Sequence, residues 1–296
     1  MGESLGVLAA MLSSGLGGIA AGTTRFIIGA VDPVTLGAFR YGGGFLILLP
    51  IALAKSRRWP EARDLPAVAG LGLLFFGIFP VFYNAALYYT TAARGALALS
   101  TLPLLTMLIA ALLGIEPLTW RKTCGVLVAV GGVTISLGLG LSQAPAGAWR
   151  GDGLMMTGAV LMALYTIWSK AYIARSSALT FATASIAAGA GCLVLFALTR
   201  NGFAASAQFG PAQWAGVAYL AVGGGAVNFL LWVWALGRAT PTRVANTITV
   251  NPVTASITAA LLIGEPIRFD TLFGIAAVFA GIWIASTMRR SPAAAA

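Results

Sequence analysis

Residues 242–266 read TRVANTITVNPVTASITAALLIGEP. The stretch is long enough to cross a bilayer as a helix, yet it carries Asn246, Thr247, Thr249, Asn251, Thr254, Ser256 and Thr258 where a lipid-facing span would show Leu and Val. Such a helix must face protein or water. Pro252 has no amide hydrogen, so the carbonyl of Ile248 loses its helical partner near the depth of the bilayer midplane. An open carbonyl there is a candidate binding group. At helical spacing, Thr247, Asn251, Thr254 and Thr258 form one polar stripe, and Thr242, Asn246, Thr249 and Ser256 form a second beside it.

The rest of the chain is equally at home in a membrane. Its 296 residues are 59% hydrophobic and 9% charged, with a mean hydropathy of +0.90, which is too apolar for a soluble protein. The net charge of +10 sits in short loops between apolar runs, not in a basic patch interleaved with aromatics, so nucleic acid is not an expected partner. Cys124 and Cys192 both fall inside apolar runs and are expected to be free thiols packed as small hydrophobes. The run beginning near Leu5 reads as a retained helix, not a signal peptide.

Ten apolar segments follow one another, at about 5–29, 34–54, 66–89, 93–113, 120–142, 153–174, 178–199, 212–236, 243–263 and 270–288. Twelve of the eighteen Lys and Arg residues fall on the side of the N-terminus and five on the other, with Arg40 left inside the second segment. The positive-inside bias therefore predicts both termini in the cytoplasm. Trp59, Trp120, Trp149 and Trp214 lie at segment ends, where they read as interfacial anchors.

The sequence also repeats. Shifted by 149 residues, 94–132 aligns without a gap on 243–281, with eleven identities that include Arg94 on Arg243, Pro103 on Pro252, Glu116-Pro117 on Glu265-Pro266, and Gly125 and Gly132 on Gly274 and Gly281. Each half, 1–148 and 149–296, holds five segments. An odd number makes the second half enter the membrane from the opposite side, giving inverted repeats of the kind that place a substrate site at the midplane between them. The expected fold is an all-α membrane protein of ten transmembrane helices in two inverted five-helix repeats.

Five helices per repeat, a proline in the fourth, a Gly/Glu/Pro turn at its end and a glycine-punctuated fifth helix resemble the ten-helix EamA branch of the drug/metabolite transporter superfamily. Phe39-Arg40 early in the second helix is similar to the family pattern as well. The resemblance implies an exporter of small metabolites, with amino acids, aromatic ones included, as expected substrates. The repeats depart from symmetry in one place: Leu97, Ala98, Leu102, Leu105 and Ile109 stand where the second half has Asn246, Thr247, Asn251, Thr254 and Thr258. Most polar contacts are therefore expected from the second half.

Further candidates stand on other helices. Asn84 and Tyr88 share a face of the third helix beside Tyr83, and the 149-residue shift places Trp232, one turn from Asn228, on Tyr83. Paired aromatics suit a substrate with an apolar or cationic face. Tyr165, Trp168 and Tyr172 form a stripe on the sixth helix; Tyr172 stands near the cytoplasmic end as an interfacial residue, and Tyr165 and Trp168 are site candidates. Arg40 lies about 9 Å into its helix at 1.5 Å per residue, where it is either a substrate-carboxylate ligand or a structural group bonded to helix-end carbonyls. The structural role is the favoured reading of the two. The substrate-binding candidates are thus Asn246, Thr249, Asn251, Tyr83, Asn84, Tyr88, Asn228, Trp232, Tyr165, Trp168 and Arg40.

An enzyme is not expected, since the chain has no histidine and its eight carboxylates fall at segment ends or in loops. No cofactor or metal is implied. The reading is a monomeric, facilitative amino-acid exporter working by alternating access, with a lipophilic-cation exporter or a channel-like pore as the alternatives.

Overall fold

The computed structural model describes residues 2–55, 58–115, 117, 119–140, 142 and 144–286. Among these every regular element is helical. The ten principal helices are α1 Gly2–Ile27, α2 Pro33–Lys55, α3 Leu65–Tyr89, α4 Ala92–Leu112, α5 Trp120–Leu139, α6 Ala148–Arg175, α7 Ala178–Thr199, α8 Pro211–Leu236, α9 Pro241–Ile263 and α10 Phe269–Ser286. Eight of them are long and apolar enough to cross a bilayer, while the apolar parts of α5 and α10, Thr123–Leu139 and Phe269–Gly281, are shorter. Of the residues invoked for orientation and turns, Arg57, Glu116, Arg289 and Arg290 lie outside the described residues.

Local sequence sets the helix limits in the same way in both halves. Thr91 accepts a hydrogen bond from the Arg94 amide at the start of α4, and Thr240, its equivalent under the 149-residue shift, accepts one from the Arg243 amide at the start of α9. Gly114 and Gly264 follow the last turns of α4 and α9 with φ of +68° and +67°, a conformation that favours glycine and ends each helix.

Four helices are interrupted, again in matched pairs. The α4 helix breaks at Ser100 and Thr101 ahead of Pro103, and α9 passes through a 3₁₀ turn, Thr247–Thr249, ahead of Pro252. The α3 and α8 helices widen into π-helical segments at Leu73–Ile78 and Val222–Val227, which the shift of 149 superposes residue for residue. Such segments disturb the backbone hydrogen-bond ladder and recur at functional sites.

The halves interlock. The α1 helix packs along α8 and α9, and its counterpart α6 packs along α3 and α4. Likewise α2 lies against α7 and the π segment of α8, and α7 against the π segment of α3. Small residues permit these approaches: Gly44 of α2 touches Gly225 and Ala226 of α8, and Gly189 of α7 sits on Phe76 of α3. The α5 and α10 helices pair with each other at the periphery, with Gly132 facing Ala277 and Gly281 facing Ala129. The protein core is a stack of rings from both halves, in which Phe75 lies against Tyr165 with centroids 4.4 Å apart.

Cys124 is half-buried and Cys192 exposed on the outer face of α7, so the second thiol does not pack in the interior as expected. Position 192 is exposed because the buried face of α7 runs through Ser185, Gly189, Ala190 and Leu193.

Candidate functional site

The helix interruptions converge on one narrow central cavity, with about 30 Å³ of space open to a water-sized sphere, lined by Ser13, Ser14, Gly17, Arg40, Phe79, Tyr83, Leu99, Met162, Asn228, Phe229, Trp232, Ile248 and Asn251. The lining side chains are each no more than 5% exposed, so this conformation is occluded. The lining follows the internal symmetry. Ser13 and Met162, Phe79 and Asn228, Tyr83 and Trp232, and Leu99 and Ile248 are all pairs related by 149 residues. The repeat relationship thus brings equivalent positions to opposite walls of one space.

Chemistry, unlike position, is not symmetric. Ser13 donates to both the side-chain and main-chain oxygens of Asn228 at 2.6 and 2.9 Å, and Ser14 pairs with Thr247 at 3.0 Å. Together with Arg40 and Asn251 these make a polar wall from α1, α2, α8 and α9. Phe79, Leu99 and Met162 from α3, α4 and α6 make an apolar wall opposite. Buried polar atoms without partners carry a desolvation penalty, and two line this space: Asn251 Oδ1 and Trp232 Nε1.

Arg40 enters from α2 and is 3% exposed. Its Nε and Nη2 donate to the Gly224 carbonyl at 3.1 and 2.9 Å, inside the π segment of α8. Asn228 Nδ2 donates to the same carbonyl at 3.3 Å. The rings of Tyr41, Tyr83 and Phe229 surround the guanidinium at 5.2, 5.6 and 5.7 Å.

Five of the eleven residues singled out in the sequence meet here: Arg40, Tyr83, Asn228, Trp232 and Asn251. The others lie elsewhere. Asn84 donates to the Pro33 carbonyl at 2.8 Å and fastens α3 to the start of α2. Tyr88 is 56% exposed at the end of α3, packed edge-on against Tyr89. Trp168 is exposed on the outer side of α6, and Tyr165 stands behind the cavity wall, stacked on Phe75. Thr249 bonds back to the Asn246 carbonyl at 3.0 Å, and neither it nor half-buried Asn246 reaches the cavity.

The polar face of α9 has a use that its composition did not reveal. Thr247, Thr254, Ser256 and Thr258 each bond to a carbonyl of their own helix, and Thr254 and Thr258 pack on Gly18 and Gly22 of α1. Most of the stripe is therefore a helix–helix seam, with hydroxyls satisfied internally. Nor does the polar lining come mainly from the second half, because α1 and α2 supply Ser13, Ser14 and Arg40. Ser13 and Ser14 carry no signal of their own in the sequence, because they stand among small residues in the run SSGLGG, residues 13–18.

One end of the bundle is tied by two charge pairs, one buried and one half-buried. Arg94 of α4 pairs with Asp152 of α6 at 2.5 Å, and Arg25 of α1 with Glu265 beyond α9 at 3.0 Å. Glu265 also accepts from the Ala92 amide at 3.1 Å, joining the end of α9 to the start of α4. At the opposite end, Arg243 pairs with Glu3 and Arg175 with Asp64, more openly to solvent.

The model of the EamA-like transporter family matches residues 3–138 and again 149–287. A transporter of Archaeoglobus fulgidus without a characterised substrate is 22% identical over 269 residues, 90% of this chain and 93% of the relative. A probable terminal-alkyne amino-acid exporter of Streptantibioticus cattleyicolor is 27% identical over 229 residues, 77% of this chain and 75% of the relative. A solved crystal structure of 20% identity has the same fold, with a TM-score of 0.68 over 96% of both chains.

Proposed function

The chain belongs to the EamA-like transporter family as a multi-pass membrane transporter, and from that premise we propose that it exports amino acids, aromatic ones included, by alternating access. The observation that carries this reading is the occluded cavity with a polar wall on one side and Phe79, Leu99 and Met162 on the other. The chemistry of that lining suits a small solute with a charged head and an apolar side chain, and the closed space must widen to admit one. The Streptantibioticus relative, named for amino-acid export, points the same way.

An occluded space between inverted repeats supports a carrier over a continuous pore. Rocking one set of helices against the other would expose the cavity to each side in turn. The pairs Arg94–Asp152 and Arg25–Glu265 join α1, α4, α6 and the α9 end on what the basic-residue count makes the external face. Opening to that face requires these ties to part. No described carboxylate lines the cavity, which supports facilitated diffusion down the gradient set by synthesis, in the inner membrane with both termini cytoplasmic, by a monomer. Counterflow in proteoliposomes with a panel of amino acids and quaternary cations tests the reading. Saturable exchange of amino acids supports it, and exchange of quaternary cations alone overturns it.

A further inference from the structure

Arg40 is a buried cation, and the described carboxylates are all engaged elsewhere. Glu3 is held by Arg243, Glu61 by Arg63, Asp64 by Arg175, Asp152 by Arg94, Glu265 by Arg25 and Asp270 by Arg268. Asp32 caps α2 through the Val34 and Thr35 amides. What surrounds Arg40 instead is the Gly224 carbonyl, the hydrogen-bonded hydroxyl of Tyr83 and three ring faces. These stabilise a cation without neutralising it. Removing an ion from water costs several kcal/mol after relaxation when no opposite charge is present.

The internal repeat supplies a control for the structural explanation. The equivalent of Arg40 under the shift of 149 is Gly189, and the equivalent of Gly224 is Phe75. The π segment Leu73–Ile78 forms all the same, with Gly189 packed directly on it. A π segment crossed by a neighbouring helix therefore does not need an arginine in this fold. Arg40 stands on the cavity, beside the unpartnered Asn251 Oδ1 and Trp232 Nε1. A guanidinium carries five N–H bonds in a planar fork, and Gly224 accepts from two of its nitrogens.

We propose that Arg40 binds the carboxylate of the transported solute, so that the cavity admits organic acids and zwitterionic amino acids and rejects amines and quaternary cations. The assignment deepens the amino-acid reading and rests on the same cavity. Asn251 Oδ1 is the acceptor for the ammonium group of a zwitterion, and the Phe79, Leu99 and Met162 wall takes the side chain. A bidentate arginine–carboxylate contact in a dry site is among the stronger hydrogen-bonded pairs.

The test is inhibition of counterflow by wild-type protein in liposomes, with phenylalanine, phenylalaninamide, 3-phenylpropionate and phenethylamine as competitors. The acids are expected to compete at least about tenfold better than the amide and the amine, as a charge-assisted pair requires. The variant Arg40→Gln is expected to lose that preference, with Arg40→Lys retaining part of it. Equal competition by phenylalanine and its amide on wild-type protein overturns the assignment whether or not the variants fold. Amino acids would then remain substrates held by other groups. Competition by 3-phenylpropionate but not by phenylalanine keeps the assignment of Arg40 and overturns the amino-acid reading instead.

Discussion

Thr254 occupies the space that a β-carbon on Gly18 would need. A methyl group placed there would overlap Thr254 Oγ1 and press on the Asn251 carbonyl and the Ala255 amide. Because those are largely backbone atoms, α1 and α9 must separate to admit it. Gly18→Ala is expected to destabilise the protein by about 1–3 kcal/mol, the usual cost of overpacking, read as a fall in the thermal unfolding midpoint in detergent. Gly191→Ala is the matched control, since nothing lies within 4 Å of the new methyl group. Equal midpoints for the two variants would contradict the α1–α9 packing.

Asn251 and Asn246 look alike in sequence, yet only Asn251 lines the cavity. Asn251→Leu and Trp232→Ala are expected to reduce counterflow about tenfold or more, the effect of losing one polar contact in a dry site. Asn246→Leu and Trp168→Ala are expected to stay within about twofold of wild type, the range in which contacts outside a site normally fall. Initial rates in liposomes decide it, and a profile with Asn246→Leu dead and Asn251→Leu active would remove the cavity from the transport path.

Arg94 and Asp152 are 4% and 11% exposed at their side chains. Asp152→Asn takes the paired carboxylate from a buried guanidinium, at a cost of about 3–5 kcal/mol. Replacing both partners, as in Arg94→Leu with Asp152→Leu, is expected to recover much of that loss. Thermal unfolding of the two variants separates a buried ion pair from a surface one. If Asp152→Asn unfolds at the wild-type temperature, the pair contributes nothing to the closed state.

Orientation is checked with single cysteines in a background lacking Cys124 and Cys192. Arg58→Cys is expected to react with an impermeant maleimide only after permeabilisation, and Arg150→Cys from outside intact cells. The motive is the twelve-to-five distribution of basic residues between the two sides. Labelling of position 58 in intact cells would invert the topology.

Proton coupling requires a group that binds and releases a proton during the cycle, and an arginine guanidinium does not do so in proteins. The cavity offers no described carboxylate, and Glu265 is held by Arg25. A pH gradient imposed without a substrate gradient is therefore expected to produce no net accumulation of a zwitterionic amino acid in liposomes. Concentrative uptake would place a proton site at a helix end, with Asp152, Glu265 and Glu116 the groups to substitute.

Much of this protein is legible in one dimension because the membrane is an exacting solvent. Spans must be apolar for some twenty residues, so the succession of helices follows from hydropathy, and Gly114 and Gly264 stand in the turns that end α4 and α9. The 149-residue repeat predicted the inverted architecture, and Pro103 and Pro252 marked where α4 and α9 break. What one dimension does not contain is which face of a helix meets which neighbour. The hydroxyls of Thr254 and Thr258 read as a binding surface until α1 arrives with Gly18 and Gly22, and then they are packing. The α1 serines, silent among small residues, become a wall of the cavity because α1 crosses α8 at Asn228. Arg40 was ambiguous in sequence because its counter-charge depends on residues nearly two hundred positions away. Only the fold reveals that Gly224 meets it with a carbonyl and that the described carboxylates are engaged elsewhere. Local propensity decides elements; the partner of a charge or a hydroxyl is decided by which surfaces the folded chain brings together.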